Sequence, residues 1–326
     1  MNNNEKRILS GIQPSGTLHI GNYFGMMKPA LEMQKDHECF YFIADLHAMT
    51  QLPEPSVMRE RPYNIALDFR ACGLDPEKTT FFKQSDVPEV TELTWTLSCL
   101  SPMGLLERCH SYKDKTAKGL TANVGLFCYP VLMAADILIY NSDLVPVGRD
   151  QRQHLEVTRD LAARFNNQFG ETFNLPDAII RESVAQVPGT DGQKMSKSYD
   201  NILEIFGSHK KMRKKFMKIV TDSTPVEEPK DPDSCNVFSL FKLFASDDEV
   251  EDLRKRYKKG GMGYGTAKQE LFDKYWEYFR PYREKREELE NAPDYIERVL
   301  EKGAAHARDI AKEKLTQVKK ATGFIA

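Results

Sequence analysis

The chain has 326 residues, 40% apolar and 29% charged, enough for one large domain and a smaller one, each with its own core. Its 46 basic and 48 acidic side chains leave a formal charge of −2, which does not mark a general nucleic-acid binder, and no apolar run is long enough to span a bilayer. MNNNEKR carries no apolar stretch behind its charges, and the six cysteines show neither a CxxC pair nor metal-ligand spacing, so a cytoplasmic protein with reduced thiols is expected.

Arg7 to Ile12 reads as a short strand. It leads into QPSGTLHIGN, a turn rich in Pro, Gly and Ser, and then into an apolar-periodic helix from about Tyr23 to Lys35. Cys39 to Ala44 is a second strand, ending at Asp45 and His47. Residues 54–73 form an amphipathic helix and Thr79 to Gln84 a third strand. This alternation belongs to a parallel sheet covered on both faces, in which ligands bind beyond the carboxyl ends of the strands. Both the HIGN turn (His19 to Asn22) and His47 fall there.

Beyond Lys197 strands become hard to find. Charged helical segments are expected at 203–219, 235–245, 247–258, 266–289 and 293–322. GGMGYG (260–265) follows RKRYKK and not a strand, so it reads as a helix–helix turn and not as a dinucleotide loop. HKKMRKKFMK (209–218) carries six Lys/Arg and no acid; its ordinary reading is a solvated helix face. The chain is thus an α/β domain to about residue 200 followed by an all-helical region.

Two short strings carry the chemistry. Gly16 and Gly21 lack a Cβ, so a flat ring or a phosphate can approach the backbone, and the helix starting near Asn22 aims its amides at the same spot. His19 and Asn22 can donate to phosphate. KMSKS (Lys194, Met195, Ser196, Lys197, Ser198) supplies two cations and two hydroxyls behind a Gly/Pro-rich VPGTDGQ stretch, as suits a loop that closes over substrate. Lysines that meet phosphate as charge builds on a leaving group stabilise the transition state selectively. No carboxylate cluster marks a dedicated metal site.

SGIQPSGTLHIGNY, YPVLMAADILIY, VPVGRDQRQHLEVTRDLAARFN and KMSKS, in this order, resemble the tryptophanyl-tRNA synthetases of the bacterial type, within the class I aminoacyl-tRNA synthetases. The resemblance runs from about residue 8 to the C-terminus. It implies a Rossmann-like catalytic domain over 1–200, a helical anticodon-side domain over 201–292, and a last helix over 293–326 that returns to the catalytic domain. It also implies activation of L-tryptophan by ATP with Mg2+, transfer to tRNA(Trp), a homodimer, and neither an organic cofactor nor an iron–sulfur cluster. No nucleophilic side chain is needed, because the amino acid's own carboxylate attacks the α-phosphate.

Asp136 is the residue most telling for substrate choice. Its helical neighbours Leu132, Met133, Ile139 and Tyr140 are largely apolar, so its carboxylate is desolvated and needs hydrogen-bond donors. An internal Lys or backbone amide could supply them; the resemblance points to an indole N–H, with Tyr129 and Met133 walling the ring. By the same resemblance, ATP is held by Gln13, Pro14, Ser15, Gly21, Asn22, Gly148, Arg149, Asp150, Val187 and the KMSKS residues. Lys115 would reach the phosphates, and His47, Gln151, Leu9, Val145 and Val147 would complete the tryptophan pocket. The pattern departs at Leu9, where many relatives place an aromatic, at Arg149, commonly acidic, and at Gln193, frequently lysine. Three other readings share parts of the pattern: a tyrosyl-tRNA synthetase, a nucleotidyltransferase for a small cofactor precursor, and a non-catalytic synthetase-like RNA-binding protein.

Overall fold

A computed structural model of the chain describes residues 6–14, 16–117, 122–148, 151–180 and 187–326. Its centre is a parallel sheet of five strands, β1 (Arg7–Ile12), β2 (Glu38–Ile43), β3 (Thr79–Lys83), β4 (Leu144–Val147) and β5 (Asp177–Ile180), in the order β3-β2-β1-β4-β5. The direction of winding reverses between β1 and β4, which pair through Ile8 and Leu144. A crevice opens at such a reversal, beyond the strand carboxyl ends.

Strand side chains alternate between two separate cores. Ile8, Tyr41, Ile43 and Phe81 face the core shared with the helical segment 20–33 and helix Pro55–Ala71. Leu9, Phe40, Phe42, Phe82 and Val145 face the core shared with helices Glu89–Leu100, Val124–Ile139 and Arg152–Phe169. The C-terminal helical region, with Phe216, Phe238, Tyr257, Phe272, Tyr275 and Phe279, extends the first core without a break.

The final helix, Pro293–Ala321, runs along edge strand β3 and passes from one core to the other. Ile296, Val299 and Leu300 join the first, Ala304, Ala307 and Ala311 the second. Gly303 marks the crossing, where a Cβ would stand 2.0 Å from the Phe81 carbonyl oxygen. A helix lying this close shields the edge that β3 would otherwise expose.

Three expected helices differ in detail, each for a local reason. The helix expected from Tyr23 starts at Ile20 and widens into a π turn over Tyr23–Met27. Pro29 has no N–H for the Gly25 carbonyl and its ring would crowd it, which favours the wider turn. The helix expected over 266–289 breaks into Tyr264–Tyr278 and Arg280–Glu290, because Pro281 cannot continue the ladder. The helix expected from residue 203 begins only at His209, since Leu203 O and Ile205 N bond to Ile20 N (2.9 Å) and Leu18 O (3.3 Å) instead. The turn over GGMGYG is as expected: Gly260 (φ 78°) and Gly261 (φ 82°) lie between helices Asp247–Lys259 and Tyr264–Tyr278.

Gly303→Ala is expected to lower folding stability by about 1–3 kcal/mol, because helix and strand must part to admit the methyl group. Urea unfolding of the two proteins measures this; an unchanged midpoint would show that the crossing is not tight.

Candidate active site

The cradle begins where β1 ends. His19 caps the helical segment: its Nδ1 accepts from Asn22 N (3.3 Å), and Asn22 Oδ1 accepts from His19 N (3.2 Å). This reciprocal cap determines the imidazole's chemistry. With Nδ1 an acceptor, the neutral ring carries its proton on Nε2 and presents a single N–H donor. Burial, and secondarily the charge of Lys197, push the His19 pKa down to about 4, so the ring is neutral at physiological pH. Gly21 is required beneath it, since a Cβ there would come within 3.0 Å of His19 Nδ1. Gly16 adopts a φ of 113°, a left-handed conformation that side-chain-bearing residues avoid.

The KMSKS loop lies on this cradle. A Cβ at Gly16 would sit 3.5 Å from Lys197 Nζ, and one at Gly21 would sit 3.5 Å from Met195 Cβ. Met195 is buried in the core beside Leu18 and Ile20, and so anchors the loop. Desolvation, and then the charge of Arg61, hold the Lys197 ammonium below its ordinary pKa. An ammonium that is partly desolvated and repelled by a second cation gains most when an anion arrives between them.

Asn201 clasps the loop from within. Its amide donates to Asp191 Oδ1 (2.8 Å) and Lys194 O (3.1 Å), while its Oδ1 accepts from Ser196 N (2.7 Å). Its backbone oxygen accepts from Thr190 N at 2.9 Å. Gly189 must be glycine here, as a Cβ would fall 2.5 Å from Asn201 Nδ2. Pro188 bridges Lys194, closing the hairpin; Val187 at its base is buried, and Lys194 itself is exposed.

The other end of the crevice is built around Asp136, which is 2% exposed on helix Val124–Ile139. Among the described residues neither a Lys nor a backbone amide serves it. Its donors are Gln84 Nε2, 2.8 Å from both carboxylate oxygens, and His47 Nε2, 2.9 Å from Oδ2. Burial still pushes the Asp136 carboxyl above its ordinary pKa, against the pull of His47 and Gln84. The His47 ring meets the Tyr129 ring edge-on at 6.0 Å. Tyr129 OH lies 2.6 Å from His154 Nε2, and His154 Nδ1 lies 2.9 Å from Gln151 Oε1. Since Gln151 Oε1 accepts, His154 carries its proton on Nδ1, and Tyr129 donates to Nε2.

Several of the expected site residues stand on the strands or at their carboxyl ends. Gln13, Pro14 and Gly148 follow the carboxyl ends of the adjacent strands β1 and β4. Leu9, Val145 and Val147 lie on those strands, buried in the second core, and Met133 packs against the same core. Ser15, Arg149 and Asp150 lie outside the described residues, as do the side chains of Lys115 and Ser198. Three residues escaped the sequence reading: Gln84, His154 and Asn201. Gln84 directly follows a strand at its carboxyl end and His154 lies one helical turn from Gln151, so position alone could have drawn attention to both.

Residues 1–280 match the family model described as tRNA synthetases class I (W and Y). The chain belongs to this family of class I synthetases. A tryptophan–tRNA ligase of Fusobacterium nucleatum is 56% identical over 321 residues, which is 98% of either chain. One from Rhodopirellula baltica is 56% identical over 318 residues, covering 98% of this chain and 99% of its own. The solved tryptophanyl-tRNA synthetase of Campylobacter jejuni, complexed with ADP and tryptophan, superposes with a TM-score of 0.93 at 50% identity, over 97% of this chain and 99% of that one.

The depressed pKa of His19 sets a pH dependence. The fold favours the neutral ring, so the stability linked to this group is fully present above pH 6.5 and is lost as pH falls toward 4. An NMR titration of the ring is expected to find its midpoint near 4; a midpoint at the ordinary value of 6.5 would overturn the buried cap.

Proposed function

We propose that the protein is a tryptophan–tRNA ligase, a class I aminoacyl-tRNA ligase. The observation that carries this reading is the convergence of Lys197 and Met195 of the KMSKS loop on Gly16 and Gly21 of the cradle, with the buried Asp136 acceptor in the same fold. A tryptophan carboxylate oxygen attacks the α-phosphorus of ATP, and the bond to pyrophosphate breaks. The 3′-terminal ribose hydroxyl of tRNA(Trp) then attacks the adenylate carbonyl and AMP leaves. ATP enters as its magnesium complex, with the cation held by phosphate oxygens and water.

Roles follow from the donor inventory. The His19 Nε2–H and the Asn22 side chain contact phosphate oxygens without adding net charge. Lys194, Lys197 and Lys115 supply cations to the departing pyrophosphate. Gln13, Pro14, Ser15, Gly21, Gly148, Arg149, Asp150 and Val187 surround the nucleotide, together with Met195, Ser196 and Ser198. Asp136 accepts the indole N–H, Tyr129 and Gln151 bind the substrate ammonium, and Met133, His47, Leu9, Val145 and Val147 enclose the ring.

Residues 1–200 form the catalytic domain, 201–292 the anticodon-side domain, and 293–326 the returning helix. Helix His209–Met217, beside the KMSKS loop in sequence, turns Lys210, Arg213 and Lys214 outward and is an electrostatic surface for tRNA phosphates. The protein acts in the cytoplasm; among the described residues no helix is long and apolar enough to cross a membrane. It works as a homodimer. Exposed Met49, Leu52 and Val124 rim a depression of about 580 Å³ that reaches helix Glu89–Leu100, which also exposes Trp95. These exposed apolar side chains are the surface assigned to the second copy.

Pyrophosphate exchange is expected with tryptophan and not with tyrosine; the reverse would make the protein a tyrosine enzyme. Lys197→Ala is expected to slow single-turnover adenylate formation by about 10²–10³-fold with little change in tryptophan affinity, the size of loss typical for removing a transition-state donor. An unaltered rate would remove the leaving-group role. Light scattering on an eluting sample is expected to give a dimer mass for the wild type and a monomer for Leu52→Glu with Val124→Glu. A monomeric wild type would end the dimer assignment.

A further inference from the structure

Gln84 opens the short turn Gln84–Asp86 at the carboxyl end of β3 and is 0% exposed. Its Nε2 donates to both oxygens of Asp136 at 2.8 Å, and its Oε1 accepts from His47 N at 3.4 Å. His47 Nε2 approaches Oδ2 alone, at 2.9 Å. The two carboxylate oxygens are therefore unequal. Oδ2 receives two donors and Oδ1 one, so Oδ1 is the oxygen with more acceptor capacity remaining.

We propose that Gln84 is a specificity-positioning residue, orienting the Asp136 carboxylate so that one oxygen selects amino acids by an aromatic N–H donor. The inference rests on the reading above that Asp136 accepts the substrate's indole N–H. The amide is suited to this work because it is an uncharged donor. A lysine or arginine at position 84 would neutralise the carboxylate and remove its demand for another donor. An apolar residue would leave a buried anion short of hydrogen bonds, and Asp136 would take up a proton and become a donor itself. Gln84 stands between those limits: it fixes the carboxylate in direction without neutralising it, and leaves Oδ1 the oxygen with more acceptor capacity. It also clamps the His47 backbone, so the strand ends that carry Gln84 and His47 are tied to the same acceptor.

The test compares L-tryptophan with β-(3-benzothienyl)alanine, an isostere with sulfur in place of the indole N–H, in pyrophosphate exchange on the full-length protein. The readout is the ratio of the two kcat/KM values. Gln84→Met is expected to lower that ratio by about tenfold or more, the loss falling on tryptophan, with the isostere within about threefold of wild type and the KM for ATP unmoved. Gln84→Asn, whose amide stands on a shorter arm, is expected to lower the ratio in the same direction and carries the test if the Met variant does not fold. Asp136→Asn is the control for the underlying reading. If it leaves the ratio unchanged, the indole contact itself is wrong. If Asp136→Asn collapses the ratio while both Gln84 variants preserve it, or lose both substrates equally, Gln84 is merely structural and the proposal is overturned.

Discussion

A lysine held close to a histidine that stays neutral at physiological pH is the arrangement on which the rest of the site depends. Lys197 comes to the Gly16 turn, next to a ring whose Nδ1 is occupied by the Asn22 amide and whose charge is suppressed by burial. Were His19 protonated, its charge would repel that of Lys197. Because it is neutral, the cation can rest there, partly desolvated and with its pKa held below the ordinary value.

The lysines meet the cradle because the loop is stiffened from inside. Asn201 ties both arms of the hairpin, Met195 anchors it in the core, and residues 203–205 are pinned to the backbone at Leu18 and Ile20. The cradle in turn is continuous with the helical region. Tyr23, one residue beyond HIGN, is buried with its hydroxyl 3.1 Å from that of Tyr282 and its ring 5.1 Å from Phe279. A movement of the helical region is therefore felt at the turn that carries His19, through contacts that are close-packed and not easily sheared.

The opposite end of the crevice obeys a different constraint. Asp136 is a buried carboxylate served by an amide and an imidazole, and its pKa is raised because neither fully replaces water. A second chain, Gln151 to His154 to Tyr129, aligns a hydroxyl nearby. Each chain has two members singled out from the sequence, Asp136 with His47 and Tyr129 with Gln151, and a third, Gln84 or His154, that becomes visible only when strands and helices are brought together.

The sequence alone determined the strand–helix alternation, the two signature strings, the helical character beyond residue 200 and the burial of Asp136, because each of these is written in local periodicity or in contiguous residue types. It could not show that Asp136 is held by Gln84, that His154 orients Tyr129, or that Asn201 clasps the KMSKS loop. Those partners lie 52, 25 and up to 10 residues away along the chain. Nor could it show the π turn as a departure from an ordinary helix, or the pairing of 203–205 with 18–20 in place of a helix. Propensity describes what a segment prefers in isolation. Tertiary structure decided which backbone groups found nearer partners elsewhere, and so which charges were buried and which donors faced them.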